Sequence, residues 1–280
     1  MINSKKIQIA LILVVLFLVV GFESNMPMSE KKVREKVLDS LEDEYNEKFR
    51  IKSFKYTVAN KSYQLEVYPK KDPDIIFDVR ILPMTGYQIN DDYITEQWFI
   101  KTEKYIKKYV NRISRKNVYY AIARPIKTEL FMKLRDREKA TFKEIMKNYR
   151  NKSKLATKIY AFKDITSKNE DEVLKDVYEL VKFIREEGFK TGKIEIEFYD
   201  EDYFRDKDVE KLYEKFDASF NDRYNNFLNY RIDINEKEFH KVKSIKGVKK
   251  NLRVWDLVQK GIPQNPEKPY EEYNNSKEDK

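Results

Sequence analysis

Residues Ile9 to Phe22 read IALILVVLFLVVGF, fourteen positions without a polar side chain, placed just behind Lys5 and Lys6. A run of this kind cannot stay in water, so it sets where the rest of the chain folds. A charged start, a short apolar stretch and a small-residue cleavage site make a removable signal peptide. A transmembrane helix takes about 20 apolar residues, and no fewer than about 17. Counted from Ile7, with Gln8 included, the run is sixteen residues. That is about 24 Å of helix against a hydrocarbon core of about 30 Å. Lys5 and Lys6 can snorkel to the headgroups while the bilayer thins, which makes a short anchor workable. Val19-Val20-Gly21 offers small residues for cleavage, but Phe22-Glu23 follows and there is no Ala-x-Ala. The expectation is therefore an uncleaved signal anchor within residues 1–28. Signal cleavage with secretion is the alternative, and a buried core helix the third reading. The preceding lysines place the N-terminus in the cytoplasm and the remaining chain outside. There is no cysteine, which removes thioether lipidation, disulfides, thiolate chemistry and Cys-based zinc sites.

The remaining length suits one large domain or two small ones. Val33, Val37, Leu38, Leu41 and Tyr45 share one face of a helix over 29–49, with Ser29 as its cap. The period then becomes two: Phe54, Tyr56, Val58; Tyr63, Leu65, Val67; Ile75, Phe77, Val79, Ile81. This predicts a three-stranded antiparallel meander. A second helix begins near Asp91 or Asp92 and carries Ile94, Trp98, Tyr105, Ile106, Tyr109 and Val110 on its apolar stripe. A strand over 118–123 stops at Arg124-Pro125. The second half alternates: helix 137–150, strand 156–163, helix from a Ser167-x-x-Glu170 capping box to Gly188, strand 193–199, helix 207–217, strand 227–234. The predicted fold class is α+β: an N-terminal helix, a meander and a helix (29–124), followed by a small alternating α/β unit (126–260). A disordered tail covers 261–280.

Charge is segregated. Residues 101–164 hold 20 Lys+Arg and 6 Asp+Glu, residues 165–240 hold 13 and 21, and residues 241–260 hold 7 and 1. The net charge of +9 understates these local fields. Lys104, Lys107 and Lys108 share one helix, and Lys139, Lys143 and Lys147 are spaced by four on another. Two basic ridges for an anionic surface or polymer are expected from them. The plain alternative is a solvated face balanced by the acidic region.

No catalytic, cofactor or metal residue is assigned. His240 is the only histidine and is read as exposed and inert. Gly188-Phe189-Lys190-Thr191-Gly192-Lys193 has one residue too few between glycines for a phosphate loop, and Ile194 stands where Ser or Thr belongs. Gly188 is read as a helix C-cap instead. Asp200, Glu201, Asp202, Asp206 and Asp208 are the densest carboxylates. They can gather oxygen ligands for Ca²⁺ or Mg²⁺, or serve a hydrolase, but a solvated loop with a capping Asp206 or Asp208 accounts for them. Tyr56, Tyr63, Phe77 and Trp98 fall at core spacing, while Tyr68 is out of phase and faces outward.

Ile9–Phe22, Tyr63-Gln64-Leu65-Glu66-Val67-Tyr68-Pro69 and Asp91-Asp92-Tyr93 carry a resemblance, over about the first 110 residues, to small N-terminally anchored envelope proteins of low-GC Gram-positive bacteria. The resemblance implies a location and a style of protein, and no catalytic residue. The leading expectation is a single-pass, extracytoplasmic protein that meets the membrane through its N-terminal segment and binds an envelope protein or an anionic polymer. A hydrolase using Asp/Glu or a metal is one alternative. A basic nucleic-acid-handling protein of a mobile element or secretion apparatus is the other, although an exported domain does not ordinarily meet nucleic acid.

Overall fold

Period-two alternation builds both sheets, and caps close the helices between them. A computed structural model describes residues 28–59, 61–82, 87–216 and 219–255. The segment expected as anchor and the tail expected as disordered lie outside these residues. The chain forms two compact units, divided between Tyr93 and Ile94.

In the first unit, Ser29 caps α1 (Glu30–Tyr45) by accepting from Lys32 N, and the helix buries Val33, Val37 and Leu41. Asn46 ends it in the left-handed region at φ 51°, a conformation its short polar side chain tolerates. Then β1 (Phe49–Thr57), β2 (Ser62–Pro69), β3 (Phe77–Leu82) and β4 (Gln88–Asp91) form an antiparallel meander in chain order. Tyr63, Leu65 and Val67 of β2 and Phe77, Val79 and Ile81 of β3 are buried on one face, as the alternation requires. Tyr68 is half-buried opposite Arg50. The meander thus has four strands where three were expected. Asp91 at the end of β4 accepts from the Tyr45 hydroxyl (2.7 Å) and from Tyr93 N (3.1 Å).

The second unit is a five-stranded mixed sheet: β5 (Asn117–Pro125), β6 (Ser153–Phe162), β7 (Thr191–Tyr199), β8 (Leu228–Ile234) and β9 (Leu252–Val254), in that order. Only β6 and β7 run parallel. Arg124-Pro125 is not a domain boundary, because β5 pairs with β6 along its whole length. From Ile94 onward, α2 (Tyr93–Ile113) belongs to this unit. Its Ile106, Val110 and Ile113 join the apolar core with Leu155, Ile159, Ile194, Ile196, Ile232 and the stripe of the crossover helix α5 (Glu170–Glu186). The expected capping box at Ser167 does not form; Asn169 instead turns back and accepts from Thr166 N at 2.7 Å. At the other end Gly188 has φ 78°. Gly188 N donates to Arg185 O and Phe189 N to Ile184 O, which together satisfy two terminal carbonyls in a Schellman turn.

The expected helix over 137–150 is broken. The short α3 (Thr128–Met132) continues as a π turn through Arg137, and Lys139 lies at φ 49°. Thr141 then caps α4 (Phe142–Glu144) with a full capping box, and a second π turn (Ile145–Tyr149) follows. The break is held from α2: Trp98 Nε1 donates to Ala140 O (2.7 Å), and Gln97 Oε1 accepts from Phe142 N (3.0 Å).

α2 also serves the outer edge of β5, whose unpaired N–H groups need acceptors once buried. Thr102 Oγ1 accepts from Ala123 N (2.9 Å), and the Glu103 carboxylate accepts from Ala121 N. Burial pushes the Glu103 carboxyl up to about 7, against the pull of the Ala121 N–H, with Glu96 adding repulsion. A raised carboxyl costs stability as pH climbs from the unfolded value near 4.5 to about 7, because the folded state holds the proton longer. Glu103→Gln keeps an acceptor and removes that cost. Denaturant unfolding should show the variant gaining about 1–2 kcal/mol over wild type at pH 8, after discount for partial exposure, and little at pH 4.

Candidate functional site

The second face of the sheet in the second unit is split between apolar cover and charge. At the C-terminal ends of β6 and β7, Tyr160, Phe162 and Tyr199 pack under Phe204, Val209, Phe220 and Tyr224. These come from α6 (Glu201–Phe204), α7 (Val209–Phe216) and α8 (Phe220–Tyr224) with their connections. Toward the N-terminal ends, the same face carries Lys154 and Lys158 on β6, Lys193, Glu195 and Glu197 on β7, and Arg231 and Asp233 on β8. Register makes the charges meet: Lys158 pairs with Glu195, and Glu197 with Arg231.

Lys158 Nζ lies 2.9 Å from Glu195 and 3.2 Å from Glu197. Arg231 reaches Glu195 at 3.2 Å and Glu197 at 4.0 Å. The Tyr199 hydroxyl donates to Glu197 Oε2 at 3.1 Å. The Asn221 amide fits best with its oxygen toward Lys158 Nζ (2.9 Å) and its nitrogen toward Glu197 Oε2 and the Tyr199 oxygen (each 3.1 Å). Glu197 is 1% exposed. Burial raises its carboxyl above the ordinary range despite Lys158, whereas for Glu195 burial is outweighed by Lys158, Arg231 and Lys193 and the net shift is downward. Burial pulls Lys158 down, but the two carboxylates outweigh it and hold its ammonium above the usual value. Both carboxylates spend their lone pairs on neighbours, so this ladder is built to hold charge in the sheet. Beside it opens a cleft of about 520 Å³, lined by Tyr120, Ile122, Arg124, Phe131, Lys154, Lys158 and Lys193 among others.

A second opening, of about 610 Å³, lies where α2 ends. Arg112, Arg115, Lys116, Lys163 and Lys175 line it, with Glu172, Asp176 and Glu201. Arg112 pairs with Asp176 at 2.8 Å, and Lys116 Nζ donates to the carbonyls of Phe204 and Arg205. Arg115, Lys163 and Lys175 have no carboxylate partner among the described residues.

Of the residues singled out from the sequence, Lys104, Lys107 and Lys108 are exposed on α2, and Lys108 lies 4.8 Å over the Tyr109 ring. Lys143 and Lys147 are exposed on α4 and its π continuation, but Lys139 falls at the break before them, so the second ridge is not one helix. His240 is exposed at the end of α9 (Glu236–Phe239), edge-on to Phe239. Asp200 caps α6 by accepting from Tyr203 N (2.7 Å), and Asp208 accepts from Lys211 N at the start of α7 (3.2 Å). Asp202 pairs with Arg205. Among the described residues, no three His, Cys, Asp or Glu side chains gather around one point in metal-binding fashion. Tyr63, Phe77 and Trp98 are core. Sequence reasoning missed the ladder and both openings. The available signal was the alternation of charged with apolar residues along three successive strands: Lys154 and Lys158, then Lys193, Glu195 and Glu197, then Arg231 and Asp233.

No family model matches this chain, and no curated protein does. Among solved structures it is similar to a DUF5037 family protein from Ruminococcus gnavus, with a TM-score of 0.44, 16% identity, and coverage of 75% of this chain and 98% of that one. No functional statement rests on that likeness.

Lys158→Met tests the ladder. Removing one partner leaves two carboxylates buried without their closest cation, at a cost of about 3 kcal/mol at pH 7. Glu195 is lowered, so its contribution is present above the ordinary carboxyl value and lost as pH falls through the folded one. The gap between variant and wild type should therefore shrink in urea unfolding at pH 4, and Lys158→Met with Glu197→Gln should recover part of it at pH 7.

Proposed function

We propose that this protein is anchored in the membrane by Ile9–Phe22, with both described units outside the cytoplasm, and that it binds an anionic polymer of the cell envelope. Two features of the sequence support the location: the apolar run and the lysines just before it. Among the described residues no helix is long and apolar enough to cross a membrane. The observation that carries the binding reading is the exposed face of α2. Lys104, Lys107 and Lys108 are exposed at helical spacing, away from the buried stripe of Trp98, Ile106 and Val110. The stripe leads toward the opening that holds Arg115, Lys163 and Lys175, which have no carboxylate partner among the described residues. From residue 104 to the end of α2 at Ile113 this is about 14 Å, about two repeats of a phosphodiester chain. A row of cations at that pitch gains from counterion release along a polyanion, which isolated ion pairs do not.

Two measurements test the reading. Protease added to intact cells lacking an outer barrier should digest both units; full protection excludes the topology. The full-length chain in uncharged detergent should bind poly(glycerol phosphate) at low ionic strength and lose about tenfold or more in affinity by 0.2 M salt. Lys107→Glu with Arg115→Glu should weaken binding and flatten the salt slope, while Lys143→Glu with Lys147→Glu should change it less. Equal binding by the first pair and wild type would assign no role to α2.

A further inference from the structure

The cleft on the charged half of the second sheet is separate from the polymer surface and has its own chemistry. Its volume of about 520 Å³ falls within the roughly 300–1,000 Å³ of small-molecule sites. Most of its charge is already spoken for. Lys154 is paired with Glu236, and Lys158 with Glu195 and Glu197. Two cations remain. Arg124 has no carboxylate partner among the described residues and stacks its guanidinium 5.6 Å over the Phe131 ring. Lys193 is half-exposed and touches Glu195 only at 4.0 Å. Between them the lining is apolar: Ile122, Ala156, Phe99 and the ring of Tyr120, which is 37% exposed.

We propose that this cleft binds a small amphiphilic anion, with one carboxylate or phosphate head on Arg124 and an apolar body along Ile122, Ala156 and Tyr120, toward Lys193. A guanidinium resting over an aromatic ring still presents N–H groups as a fork, which suits the two oxygens of either head. Stacking also fixes the side chain beforehand, so less rotamer entropy is lost when the head docks. The paired ladder behind the lining repels neither end: its charges cancel locally, and it leaves only the two cations to choose the sign of the ligand. Inorganic phosphate alone lacks the body, and a cationic amphiphile meets Arg124.

Isothermal titration of the full-length chain in uncharged detergent is the test, with octanoate, octyl phosphate and octyltrimethylammonium as probes. Octanoate or octyl phosphate should bind, whichever is tighter naming the head, and octyltrimethylammonium should not. Arg124→Gln should weaken the anionic probe by about tenfold. Ala156→Leu, which fills the half-buried lining, should abolish binding with the melting transition retained. Lys107→Glu with Arg115→Glu should leave octanoate and octyl phosphate affinity unchanged, so that failure of the polymer reading and failure of this one are told apart. Equal affinity for the cationic probe, no heat from either anion, or unchanged affinity in both cleft variants would overturn the proposal.

Discussion

Glu197 sits near the centre of the second sheet with 1% of its surface exposed, and the face around it is arranged to hold that carboxylate. A buried charge without partners costs several kcal/mol. Here Lys158 comes from the parallel neighbour, Arg231 from the antiparallel neighbour, Tyr199 from two residues further along its own strand, and Asn221 from the covering α8. The residues that complete the shell come from three separate parts of the chain. Their meeting depends on register, because a one-residue slip would turn each charged side chain into the apolar core. The ladder therefore specifies alignment across β6, β7 and β8 at least as much as it stabilises them.

The same face explains why one half of the sheet is covered and the other open. Tyr160, Phe162 and Tyr199 are large and apolar, and burying them draws the short helices after β7 over the sheet. Lys193 and Asp233 are better left near water, so the cover stops at the ladder. A cleft with apolar lining and charged margins is the geometric result of that switch partway along three strands.

The α+β class, α1 with its Ser29 cap, the alternation of β2 and β3, the apolar stripe of α5 and the turn at Gly188 were all legible in the sequence, because each depends on local period or local backbone demand. What was not legible depends on distant partners. Gln88–Asp91 has a single apolar residue and no alternation, and it is a strand only because β3 offers it an edge. The break at Lys139 has no glycine to announce it; Trp98 and Gln97 impose it from another helix. Pro125 looked like a boundary, yet a proline is acceptable at the end of an edge strand, where β5 places it. Lys158, Glu195, Glu197 and Arg231 occupy positions that read as a solvated face, and the sequence does not say which strands are neighbours. The basic α2 stripe was visible in part, but the opening at its end needs β6 and α5 beside it.

The acceptors that α2 lends to β5 have a further consequence for assembly. An edge strand with free N–H groups is a template on which another chain can add a strand. Thr102 and Glu103 occupy those donors at Ala123 and Ala121. The opposite edge, β9, is three residues long, too short to template a stable new strand. Among the described residues, then, two outer donors of β5 are occupied and β9 offers three residues, so the ends of this sheet give another chain little backbone to pair with.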